Sequence, residues 1–231
     1  MHSFDIDIGM QEPTYSADQL LRLAQDAVRR GDHASAQGYL ERANCSQGMV
    51  HYAAYLMDHR LEHMEAAQQM SKIEQLLLYV ERNSPVAAPK ARAMLINFYH
   101  RFRNLPLRRL GYMLRAARLG EPADAQLIKN LCQGIAGPEI VQPEKDLFGA
   151  YLCGTEFAYR PGNATGRWAR IFLTAVAESD SPLAGPAALQ LAELLQADIT
   201  ADKSAIAHWI KRASECNHSE ILKKQKNGGK I

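Results

Sequence analysis

Apolar residues recur at three- and four-residue spacing through most of this chain, in Ala- and Leu-rich runs interrupted by Gly, Pro and Asp. That period predicts amphipathic helices, and strand-like alternation is scarce. The stretch SADQLLRLAQDAVRRGDHASAQGYLERANC shows the unit most clearly. Ser16 is placed to cap a helix whose face carries Leu20, Leu23, Ala24 and Ala27. RRGDH then reads as a turn, with Gly31 available for a positive φ. Ala36, Leu40 and Ala43 mark the facing stripe of a second helix. Ala24 and Ala36 are small enough to let the two helices approach closely, so an antiparallel hairpin is predicted. The N-terminal FDIDIGM differs: Phe4, Ile6, Ile8 and Met10 alternate with polar residues. This short strand-like pattern would pair with a partner's sheet edge or lie along the first hairpin.

Related phrases recur. GYLERANCSQG from Gly38 is echoed by GYMLRAARLGEPADAQ from Gly111, and more weakly by phrases beginning at Leu78, Ile171 and His208. Anchored on their aromatic residues, these units place Tyr39, Tyr79, Tyr112, Phe172 and Trp209 at spacings of 40, 33, 60 and 37 residues. Three of the four spacings suit a helical-hairpin repeat, whose period runs from roughly 33 to 47 residues. A hairpin of that size buries too little apolar surface to offset its ordering entropy, so neighbours must stack. The expected fold is all-α: an α-solenoid of about five or six antiparallel hairpins. It would occupy residues 16–218, after an extended segment at 1–15 and before a basic tail at 219–231.

With its small residues at Ala24, Ala36 and Ala43 and its Gly31-Asp32 turn, the 16–45 unit resembles a tetratricopeptide repeat. The later units resemble the related Sel1-like repeats. Tyr112, the pair Ala116-Ala117, Gly120, then Ala123 and Ala125 follow their pattern, as do Trp209 and Ala213-Ser214, with Asn217 where the family prefers Gly. Asp202 and Ala205 fall at the expected turn and small positions between repeats. The resemblance implies a non-enzymatic adaptor that holds a peptide segment or partner domain in a groove, within a bacterial assembly, secretion or signalling complex. It implies no cofactor.

The 60-residue step coincides with residues 135–166, which hold three prolines and five glycines. The pattern predicts a helix at 122–134, a loop at 135–143, a helix at 144–157 and a turn at Pro161-Gly162. Both helices read as the first of a hairpin, so one partner is missing or remodelled. Tyr151, Phe157 and Tyr159 are either partner-facing candidates or core residues.

Hydrophobic residues make up 47% of the chain and charged ones 23%, an ordinary globular balance. No apolar run approaches the roughly 18 residues of a membrane span. The first sixteen residues carry Asp5, Asp7 and Glu12, no Lys or Arg, and no following apolar stretch. Neither a secretory nor a mitochondrial leader is expected, and the expected location is the cytoplasm. Cys45, Cys132, Cys153 and Cys216 are widely spaced and read as reduced thiols. The net charge of +2 selects no partner. Locally, however, Arg101, Arg103, Arg108, Arg109, Arg115 and Arg118 lie between His100 and Leu119 without an acidic residue. Pointing outward, they would form a docking surface for an acidic peptide or protein segment through bidentate carboxylate recognition. They could instead serve a nucleic-acid-associated regulator, or pair with acids of adjacent repeats.

One stretch carries the pattern of catalytic zinc chemistry. HRLEH at 59–63 fits the H-x-x-E-H arrangement of inverted zinc hydrolases, with His59 and His63 as ligands, Glu62 as base, and Glu139 or Glu144 as a third ligand. That chemistry needs one uninterrupted helix through all five residues. Laying this segment over RRGDH with an offset of 30 places His63 on His33, Ala66 on Ala36 and Ala54 on Ala24. The motif then straddles a turn between stacked helices. There is no G-x-S-x-G, no P-loop and no glycine-rich dinucleotide turn.

Overall fold

In a computed structural model, the described residues are 15–61, 64–122, 142–160, 163–198 and 201–228. Among them are ten α-helices and no strand. Two compact units form, Met1–Ala87 and Ala88–Ile231. The first holds α1 (Ala17–Arg29), α2 (His33–Arg42), α3 (Ser46–Asp58) and α4 (Ala66–Asn83). The second holds α5 (Ala88–Arg101), α6 (Pro106–Arg118), α7 (Leu147–Ala158), α8 (Asn163–Ala177), α9 (Ala184–Gln196) and α10 (Lys203–Gly228). A 3-10 turn at Pro143–Lys145 leads into α7. Within each unit each described helix packs on the next described one; α1 also touches α3, and α7 touches α9.

The first hairpin forms for the reasons its residues suggest. Ser16 Oγ accepts from the Gln19 N–H at 3.3 Å, and Gln19 Oε1 accepts from the Ser16 N–H at 2.8 Å. This reciprocal capping box satisfies two donors at the open end of α1. Leu20, Leu21, Ala24 and Ala27 are buried along its inner face, and Ala36 meets them from α2. Gly31 has φ 74°, and the Asp32 N–H bonds back to the Ala27 carbonyl. The same device ends α6, where Gly120 has φ 75° and the Glu121 N–H bonds to the Ala116 carbonyl. Left-handed backbone of this kind costs a side-chain-bearing residue energy that glycine avoids.

Each of the five repeat aromatics lies on a helix: Tyr39 on α2, Tyr79 on α4, Tyr112 on α6, Phe172 on α8 and Trp209 on α10. Tyr112 and Phe172 are fully buried, and Trp209 packs against the second unit's core. Tyr79 is exposed, and the neighbouring Val80 takes the buried position. The long step between Tyr112 and Phe172 spans α7, which docks directly on α6. There the helices approach closely: a Cβ on Gly111 would lie 2.6 Å from Leu152 Cγ, and one on Gly149 would lie 2.7 Å from Leu107 Cβ.

The break region differs in detail from expectation. The helix expected at 144–157 is the 3-10 turn followed by α7, which Asp146 caps by accepting from the Gly149 N–H at 3.1 Å. The expected helix and loop at 122–143 fall mostly outside the described residues, as do FDIDIGM and the turn at Pro161-Gly162. The C-terminal segment expected to be a tail from 219 continues the helix of α10 as far as Gly228. Among the described residues no helix is long and apolar enough to cross a membrane.

Candidate functional site

Pro106 at the first turn of α6 starts the helix without losing a hydrogen bond. Leu107, Leu110 and Leu114 sink its apolar face into the core. Arg108, Arg115 and Arg118 share another face, directed at α7 and its cap. The Arg108 Nε donates to Asp146 Oδ1 at 3.0 Å, and its guanidinium lies 5.0 Å from the Phe148 ring centre. Arg115 Nε donates to Glu156 Oε1 at 2.8 Å, and Arg118 Nε donates to Glu156 Oε2 at 2.7 Å. Glu156 is completely buried. Its hydrogen bond pushes Arg118 above the ordinary arginine range. These three arginines therefore do not stand as an uncompensated surface; they fasten α6 to α7 through carboxylates placed 38 and 41 residues downstream.

The remaining arginines stand differently. Arg101 and Arg103 are exposed where α5 ends, with Arg101 over the Phe102 ring at 5.5 Å. Arg109 lies one residue round the helix from Arg108 and lines a cleft of about 570 Å³. Tyr99, His100, Asn104, Lys145 and Asp146 also contribute to its wall. Asn104 has φ 48°, so the chain turns sharply between α5 and α6 at the cleft. The Arg109 Nε is buried and has no hydrogen-bond partner. The cleft's carboxylate, Asp146, already accepts from Arg108 and from the Gly149 N–H. Arg109, Lys145 and His100 thus face the same space with its acid committed elsewhere. Lys145 and Asp146 lie too far along the chain from Arg109 for sequence reasoning to have brought them together.

The aromatic candidates separate. Phe157 is fully buried and stacks on Phe172 with centroids 6.1 Å apart, so it is core and not a partner-facing residue. Tyr151 is half-buried against that core, and burial pushes its phenol up. Tyr159 is exposed, with the Arg118 guanidinium 4.7 Å from its ring centre.

The helical basis of the zinc pattern fails at its first residue. α3 ends at Asp58, and His59 caps it in extended geometry. The buried Gln69 of α4 explains the stop. Its Nε2 donates to the carbonyls of Leu56 (2.6 Å) and His59 (2.7 Å), and its Oε1 accepts from the Leu61 N–H at 3.1 Å. These bonds satisfy the end of α3 and hold 59–61 out of helical form. Glu62, His63 and Glu139 lie outside the described residues, and Glu144 sits in the 3-10 turn of the second unit. Among the described residues no group of three His, Cys, Asp or Glu is placed to hold a metal. Cys45 and Cys153 are free thiols, Cys216 is half-buried on α10, and Cys132 lies outside the described residues. Comparison of the chain with protein-family models, with curated proteins and with solved structures finds no match to any of them.

Proposed function

We propose that this chain is a non-enzymatic adaptor of the tetratricopeptide and Sel1-like kind. Its stacked helical hairpins form a solenoid that holds an acidic segment of a protein partner, in the cytoplasm and within a larger bacterial assembly. The observation that carries the reading is the Arg109 cleft. The Arg109 guanidinium shares it with Lys145 and His100, while the acid beside them is already bonded. Stacked helices supply a surface formed before binding, so association costs little ordering entropy. Arg101 and Arg103, exposed beside the cleft, extend the positive field along the path of an extended peptide.

The test is fluorescence anisotropy with a labelled Glu/Asp-rich peptide, a neutral peptide of equal length and a single-stranded RNA. The paired substitution Arg109→Glu with Lys145→Glu is expected to weaken acidic-peptide binding by about 10- to 100-fold, the worth of one lost charge-assisted contact. Binding of the acidic peptide no tighter than the neutral one refutes the reading. RNA binding with a steep salt dependence points instead to a nucleic-acid partner. Arg108 and Arg115 are poor positions for this test, since reversing them sets a carboxylate against Asp146 or Glu156 and damages the fold.

A further inference from the structure

The Arg109 cleft holds more donors than a single carboxylate can use. Arg109 is half-buried in its wall, and His100, Asn104, Gln142 and Lys145 are exposed around it. Between them they offer a guanidinium, an ammonium, an imidazole and two side-chain amides. The start of α6 adds to this set. Leu105, Pro106 and Leu107 line the same cleft, so the positive end of the α6 dipole opens on it. Leu105 caps the helix without a side-chain hydrogen bond, and Pro106 has no N–H to offer. The acid in the wall adds little opposing charge. Asp146 is buried, and both of its oxygens accept from Arg108 Nε, at 3.0 and 3.2 Å. Arg108 is itself held in place, its guanidinium 5.6 Å from the Tyr99 ring centre and 5.0 Å from that of Phe148. The Arg108–Asp146 pair is thus close to neutral, and Arg109 and Lys145 set the sign of the cleft.

We infer that the acidic group this cleft receives is a phosphate monoester, carried on a phosphorylated serine or threonine of the partner's segment. It rests on the adaptor reading, and adds the partner's chemistry and a switch for its capture. A carboxylate brings one negative charge and two oxygens. A phosphorylated side chain brings a charge of about −1.5 to −2 at pH 7 and three strongly accepting oxygens. Two fixed cations and a helix start match the second set and leave part of the first unused. The cleft's volume of about 570 Å³ also exceeds what one carboxyl group fills, which leaves room for the phosphorylated side chain and the chain on either side of it. Pro106, exposed, and Leu105, half-buried, offer those flanking residues apolar contact. Because most of the donors are exposed, the phosphate enters without any opening of the fold, and added salt weakens its capture. Phosphorylation of the partner then turns binding on, since the bare hydroxyl brings no charge to the cleft.

The experiment is fluorescence anisotropy on the full chain with three labelled peptides that share one Glu/Asp-containing sequence and carry phosphoserine, glutamate or serine at its centre. A neutral peptide and a single-stranded RNA serve as references. The wild type is compared with a cleft variant, Arg109→Gln with Lys145→Gln, and with Arg22→Gln plus Arg30→Gln, an equal loss of charge at exposed positions of the first unit. Circular dichroism checks that each variant is folded. The phosphoserine peptide is expected to bind at least about tenfold more tightly than the glutamate peptide, the worth of one further charge-assisted hydrogen bond. That preference is expected to fall below about threefold in the cleft variant and to persist in the first-unit variant. Equal affinity for the phosphoserine and glutamate peptides, both tighter than the neutral one, overturns this inference and leaves the adaptor reading standing. Binding of neither more tightly than the neutral peptide overturns both. A preference that survives in the cleft variant also overturns the inference, because the phosphate would then be recognised elsewhere. So does RNA bound more tightly than the phosphoserine peptide, which points to a nucleic-acid partner.

Discussion

Replacing Glu156 with alanine is the sharpest perturbation of the joint between α6 and α7. The carboxylate is completely buried and accepts three hydrogen bonds, from Arg115 Nε, Arg118 Nε and Arg118 Nη2. Removing one member of a buried ion pair costs about 3–5 kcal/mol when the stranded charge stays buried. Here the side chains of Arg115 and Arg118 are 25% and 35% exposed, so both can turn toward water and recover part of that loss. What remains is the mutual repulsion of two guanidiniums that the acid had drawn together, plus a small void. The expected cost is about 2–3 kcal/mol, which lowers Tm by about 6–12 °C for a unit of this size. Both tryptophans, Trp168 and Trp209, lie in the second unit, so their fluorescence reports its unfolding separately from the first. Replacing all three residues together with Met, Met and Leu should regain much of the loss, because well-packed apolar side chains often match a buried ion cluster. A cost below about 1 kcal/mol for Glu156→Ala would show that the acid is not sealed between the helices, and the argument would fail.

Two further outcomes follow from close packing and burial. A Cβ on Gly48 would lie 1.9 Å from the Ala43 carbonyl oxygen, a backbone atom that cannot swing aside. Gly48→Ala should therefore destabilise the first unit by about 3 kcal/mol or more, seen in urea titration by circular dichroism. Loss of under about 1 kcal/mol would mean the turn into α3 can relax. Cys153 is fully buried, its thiol donates to the Leu107 carbonyl at 3.1 Å, and burial pushes it up. An unfolded thiol titrates near pH 8.5, so above that pH the unfolded chain loses a proton that the folded chain keeps. Stability should be fully present below about pH 8.5 and fall by up to about 1.4 kcal/mol per pH unit above it. Cys153→Ala should flatten that slope before the tyrosines titrate, and an unchanged slope would exclude Cys153 as its source.

Local signals carried the helices: Ser16 as a cap, Gly31 and Gly120 at positive φ, and the 3.6-residue period all act within a few positions of themselves. Charge pairing was not legible in this way. Arg108, Arg115 and Arg118 form a run without nearby acids, yet their partners arrive from a helix some forty residues on. Periodicity places a side chain on a face but does not say what meets that face. The HRLEH spacing misleads similarly, because it acquires metal-binding geometry only on a continuous helix. Gln69, ten residues past His59, ends that helix through bonds that leave no trace in the motif. His33 and His59 meet only because two separate helix ends converge on Tyr55.

The shared carboxylate of Glu156 also constrains how this chain can change over generations. An alteration at position 156 alone leaves two cations crowding each other, and an alteration at 115 or 118 alone is cushioned by the partner that remains. The three positions therefore drift as a set, with the arginines free to go first and the acid last. Among descendants of this chain, a neutral residue at 156 should appear only where at least one of those arginines has already been lost.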